Sequence, residues 1–111
     1  MEISESKRGD VIIVRVQGRL DANSAAALEH ALLASIDAGT RRLVIDCEPL
    51  EYISSAGLRV LLVAAKRLRS ADGEIGLAAL KAPIQEVLDI AGFSSIFQSH
   101  ASVDAAVAAL R

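Results

Sequence analysis

Tryptophan is absent and aromatic residues make up only 3% of the 111-residue chain. Hydrophobic residues nevertheless reach 52%, so the core is expected to be built from Ala, Val, Leu and Ile. Basic charge is equally short. Twelve Lys and Arg face fourteen Asp and Glu, a net of −2, whereas nucleic-acid binders carry a clear basic excess. The single cysteine, Cys47, excludes an internal disulfide and suits a reducing compartment. No apolar run approaches the roughly 20 residues needed to cross a bilayer. The N-terminus, Met1-Glu-Ile-Ser-Glu, has no positively charged region followed by an apolar stretch, so no signal peptide is read there. One soluble, cytoplasmic domain spanning residues 1–111 is expected, with a single core.

Chemical motifs are also missing. There is no Gly-x-Ser-x-Gly elbow, no phosphate-binding loop and no His/Cys cluster at metal spacing. His30 falls on the polar side of a helical segment, and His100 in a loop before the last helix. Asp46, Glu48 and Glu51 gather in a second loop and are read as solvated. Cys47, beside a strand end, is read as a small buried residue. No cofactor, no metal and no catalysis are expected.

What is present is an alternation of strand-like and helix-like segments. Residues 2–7 form a short edge strand, residues 8–10 a turn, and residues 11–17 a strand with Ile12, Val14 and Val16 on one face. Its other face turns polar at Arg15 and Gln17. Residues 18–21 (GRLD) break the strand. Asn23 or Ser24 caps a helix whose Ala25, Leu28, Leu32 and Ile36 share a face, with Gly39 as its stop. Leu43, Val44 and Ile45 form a central strand, and residues 46–52 a loop around Pro49. Asp72-Gly73 turns the chain into a strand with Ile75, Leu77 and Ala79. Pro83 opens a short helix burying Ile84, Val87, Leu88 and Ala91, ended by Gly92. Ile96-Phe97 is one more brief strand, and Ser102 caps a last helix with Val103, Val107 and Leu110. The spacing predicts an α/β fold, a small mixed β-sheet packed by about four helices, whose first two strands are antiparallel.

The chain is organised around residues 41–63, which include residues 43–62 (LVIDCEPLEYISSAGLRVLL). From Ser55 onward Leu58, Leu61, Leu62, Ala65 and Leu68 recur at helical spacing. The serine pair therefore lies at a loop-to-helix junction, where serine is a favoured cap and free backbone N–H groups favour negative charge. Opposite the apolar stripe lie Arg59, Lys66 and Arg67, with Val60 and Val63 among them. Two β-branched apolar residues in a basic surface suggest a contact patch.

This stretch resembles the signature of STAS domains, specifically the anti-sigma factor antagonists. The GRLD turn, the Ala91-Gly92-Phe93 helix end and the order of elements resemble that family too. The family motif is commonly Asp-Ser-Ser/Thr-Gly-Leu. Its aspartate falls here on Ser54, its phospho-acceptor on Ser55 and its second hydroxyl residue on Ala56, while Gly57 and Leu58 match. The resemblance implies a STAS-like fold and a binding module without enzymatic activity. It implies as partner an anti-sigma factor that is also a serine kinase, bound only while the chain is unphosphorylated. Phosphorylation of Ser55, with Ser54 as runner-up, ends the association, and a phosphatase of the PP2C type restores it. Arg19 and Asp21 of the turn, Ser54, Ala56 and Gly57 of the junction, and Arg59, Val63 and Lys66 of the helix are the expected contact residues. Two other functions fit less of the pattern. One is a STAS subunit of a lipid or solute transport system bound to a membrane-associated ATPase; the other is a hydrolase with Ser55 as nucleophile, for which no base is evident.

Overall fold

The computed structural model describes residues 1–110. Its elements in order are β1 (Glu2–Arg8), β2 (Val11–Leu20), α1 (Ala25–Asp37), β3 (Arg42–Asp46), β4 (Leu50–Ile53), α2 (Ser55–Ser70), β5 (Glu74–Ala78), α3 (Ala82–Ile90), a short 3-10 turn at Phe93–Ser95, β6 (Gln98–His100) and α4 (Val103–Leu110). The expected mixed sheet with four α-helices is what forms. β1 and β2 are an antiparallel hairpin, and every later pairing is parallel, in the order β1-β2-β3-β5-β6.

Strand alternation divides the core between the two faces. Val14 and Val16 of β2, Leu43 and Ile45 of β3, and Ile75 and Leu77 of β5 join the buried faces of α1, α2 and α3 in the larger cluster. The opposite-parity residues Val11, Ile13, Val44 and Ala78 pack against Ala106, Val107 and Leu110 of α4. As the low aromatic content requires, the buried set is aliphatic apart from Cys47 and Phe97. Arg8 at the end of β1 pairs with Asp104 of α4 and ties the hairpin to that second layer.

Several segments differ from the sequence expectation. Residues 18–21 do not end the strand. Gly18 takes a left-handed φ of 99°, open to glycine because it has no Cβ, and the register shifts between Gly18 and Arg19. Past this bulge β2 continues alongside β4, pairing Arg19 with Tyr52 and Leu20 with Ile53. Residues 50–53, read as loop, are thus a strand. β5 stops at Ala78, since Ala79 turns to a φ of 58°. In α3 only Ile84 and Leu88 are buried, while Val87 and Ala91 face outward. The last strand lies at Gln98–His100, beyond a 3-10 turn that places Phe97 in the core. His100 therefore sits in a strand and packs its ring over Gly76.

Candidate functional site

β4 and α2 meet at the serine pair, and the two hydroxyls do different work. Ser54 has an extended backbone (φ −97°, ψ 174°) and stands at the N-cap of α2. Its N–H donates to Leu20 O at 2.9 Å, and its Oγ accepts from the Gly57 N–H at 3.3 Å. That hydroxyl satisfies one of the four donors a helix start leaves without a partner. Ser55 is the first helical residue and is exposed. Its hydroxyl takes no hydrogen bond among the described residues.

The glycine two residues on explains how this junction is held. Gly57 is buried, and a Cβ there would come within 2.7 Å of Leu20 Cγ and 2.9 Å of Ile53 Cγ1. The first turn of α2 thus rests directly on the ends of β2 and β4. Gly57, expected as a contact residue, is inside the protein, where close approach of the backbone to two side chains requires it to be glycine. Ala56 beside it is half-buried at the edge of the core.

The GRLD turn lies against the same junction. Arg19 is exposed and its guanidinium stacks over the Tyr52 ring at 4.1 Å, an arrangement favoured by the ring quadrupole. The Asp21 carboxylate accepts from the backbone N–H of Asn23 at 3.0 Å and of Ser24 at 3.3 Å, so it builds the entry to α1. Ser24 stands at the N-cap of α1, but its side chain caps no helical N–H. Its Oγ instead donates to Arg19 O at 2.8 Å and accepts from the Asp21 N–H at 3.0 Å. These bonds stitch the β2 end to the helix that follows.

On α2 the exposed side carries Ser55, Arg59 and Lys66, with Val63 half-buried at its margin. Val60, expected on this face, is only 2% exposed. Conversely Leu58 and Leu62, expected in the core stripe, are half-buried. The reason is α1, which packs along one flank of α2, with ion pairs Arg59–Glu29 at 3.9 Å and Arg67–Asp37 at 3.0 Å. Burial is consequently rotated toward that flank. Between the two helices runs a shallow groove of about 260 Å³ lined by Ala22, Ala25, Ala26, Glu29, Ala56, Arg59 and Val60. Tyr52 and Glu29 are thus site neighbours that sequence reasoning missed. Tyr52 lay in a segment read as loop, and Glu29 is brought here only by helix packing.

Cys47 is 1% exposed, and its thiol is pushed up to about 12 by burial and by the neighbouring Asp46 carboxylate. The thiolate, which is the nucleophile, is thereby suppressed. Asp46 accepts from the Glu48 N–H at 3.1 Å. Among the described residues no group of three or more His, Cys, Asp or Glu could hold a metal ion, and no helix is long and apolar enough to cross a membrane. The junction offers a surface with one half-buried hydroxyl committed to the helix cap and a second, on Ser55, exposed at the helix N-terminus.

The model of the STAS domain matches residues 2–106. BtrV of Bordetella bronchiseptica, a candidate anti-sigma factor antagonist by its name, is 44% identical over 111 residues, covering all of this chain and 96% of that protein. The crystal structure of an anti-sigma factor antagonist from Mycobacterium paratuberculosis superposes with a TM-score of 0.90 at 27% identity, over 99% of this chain and 93% of that one. A Thermotoga maritima protein of the same candidate class shares the fold at a TM-score of 0.94 and 18% identity, over 98% and 94% of the two chains. The chain belongs to the STAS-domain family of anti-sigma factor antagonists.

Proposed function

We propose that this protein binds a serine-kinase anti-sigma factor in its unphosphorylated form and is released when that kinase phosphorylates Ser55. A PP2C-type phosphatase would reset the switch, in the cytoplasm. The observation that carries this reading is the division of labour between the two serines. Ser54 spends its hydroxyl on the Gly57 N–H, whereas Ser55 presents its own to solvent.

A phosphate on Ser55 adds a charge of about −1.5 to −2 and three acceptor oxygens. At the first position of a 16-residue helix the backbone N–H groups and the macrodipole favour that charge, so the fold accommodates it. A partner packed over the unmodified hydroxyl would instead have to desolvate an anion. One such unpaired charge weakens binding by roughly 3 kcal/mol, about a hundredfold. Arg19, Arg59 and Lys66 form the basic rim of this surface, Val63 and Ala56 supply apolar contact, and Ser54 lies beside the acceptor.

The test is phosphorylation with ATP and the cognate kinase, followed by intact mass. Wild type should gain one phosphate and Ser55→Ala none. Ser54→Ala should still be modified while losing about 1 kcal/mol of stability, because the cap is gone. Labelling that persists in Ser55→Ala rules the assignment out.

A further inference from the structure

Arg59 lies one helical turn beyond Ser55, at i+4, where the two side chains are neighbours on the helix surface. Its guanidinium meets Glu29 of α1 at 3.9 Å, at the outer limit of an ion pair and beyond hydrogen-bond distance. The Arg59 side chain is 73% exposed and that of Glu29 33%, so the contact is weak and screened. A dianion placed four residues before Arg59 would compete for it with twice the charge and with pairs of oxygens that a guanidinium fork can bind bidentately.

We infer that Arg59 is a positioning residue for the phosphorylated state: phosphate on Ser55 draws Arg59 off Glu29, leaving the Glu29 carboxylate uncovered at the α1–α2 groove. This inference rests on Ser55 being the modified residue. The modification is then displayed on two helices. The anion at Ser55 is partly neutralised by Arg59, and a second negative charge appears beside Ala22, Ala26 and Ala56, which line the same groove. A partner seated across α1 and α2 meets both changes. No backbone movement is needed, because Arg59 only exchanges one surface acceptor for another.

The experiment installs phosphoserine at position 55 during synthesis and follows its phosphorus-31 resonance against pH at low ionic strength. An adjacent guanidinium favours the dianion and lowers the pH at which the phosphate titrates. Arg59→Gln should therefore raise that midpoint by about 0.2–0.4 of a pH unit, the size of a charge-assisted i,i+4 pair, and Arg59→Lys should restore part of it. Glu29→Gln should lower the midpoint when Arg59 is present and have little effect in the Arg59→Gln background, because it acts by releasing Arg59. Both shifts should shrink at high salt. The inference is overturned if Arg59→Gln leaves the midpoint where it was, or if Glu29→Gln has the same effect in both backgrounds. None of the three residues involved, Ser55, Arg59 and Glu29, is buried, so melting curves should match and exclude misfolding. Because the phosphate is installed without a kinase, a negative result here is distinct from a kinase that fails to modify Ser55.

Discussion

Replacing Gly57 with alanine tests how the junction is built. In an ordinary helix the change is favourable by about 0.5–1 kcal/mol, because glycine gives up more backbone entropy. Here the new methyl would lie 2.7 Å from Leu20 Cγ, 2.9 Å from Ile53 Cγ1 and 3.0 Å from Leu20 Cδ2. Neither Cγ is the tip of a flexible side chain. Leu20 is 1% exposed and Ile53 6%, and both are held by the pairing of β2 with β4. Relief requires either off-rotamer side chains or a shift of the first turn of α2, at a cost of about 2–3 kcal/mol. The net loss is about 1–2 kcal/mol, which for a domain of this size lowers the melting temperature by roughly 4–8 °C. Thermal and urea unfolding of Gly57→Ala against wild type measure it. A variant that melts at or above wild type would refute the reasoning, since the helix gain would then have met no steric opposition. Ala56→Gly is the matched control, losing only helix propensity and a small contact.

Val63→Asp puts a carboxylate at the half-buried margin of the exposed side of α2 and should weaken partner binding by about 2 kcal/mol or more while changing the melting point far less than a core truncation does. Leu61→Ala, at a residue 2% exposed, should cost about 2–5 kcal/mol of stability instead; Val63→Asp binding as wild type would move the interface elsewhere. The Cys47 thiol, raised from 9.0 to about 12 in the folded chain, should stay unreactive to thiol reagents until unfolding. Its contribution is fully present below pH 9, and stability should fall as pH rises from there toward 12, because the unfolded chain loses the proton first. Urea midpoints at pH 8 and pH 10 check the sign, and Cys47→Ala should remove that part of the slope. Ser55→Asp should fold and melt as wild type, since a helix N-terminus accepts an anion, and a lowered melting point would contradict that placement.

The order of elements was legible because periodicity is a local property. Leu28, Leu32 and Ile36 are buried at the spacing that predicted α1, and Ser102 caps α4 through a 3.0 Å bond from the Ala105 N–H. β4 was not legible. Only its end residues Leu50 and Ile53 are buried, so it lacks the alternation of a half-buried strand, and its pairing depends on a bulge at Gly18. The sidedness of α2 failed for a related reason. A helical wheel gives the period of burial, but which flank is covered depends on where α1 packs, and α1 covers Val60 rather than Leu62. Gly57 looked like surface because a motif match reports which residue recurs, not whether its missing side chain makes room for Leu20 and Ile53. The register of the motif places the acceptor on Ser55 without giving the two serines different physical roles; that Ser54 caps α2 through the Gly57 N–H is a property of the fold.

The central claim is that charge on Ser55 controls association, and calorimetry tests it most directly. The kinase partner would be recovered by pull-down on the immobilised chain, then purified separately. It would be titrated with unmodified protein and with protein carrying phosphoserine at 55. The account predicts a loss of affinity of about a hundredfold on phosphorylation, as one buried unpaired charge requires, with matching melting curves for the two forms. Equal affinity of the two folded forms for that partner would contradict it.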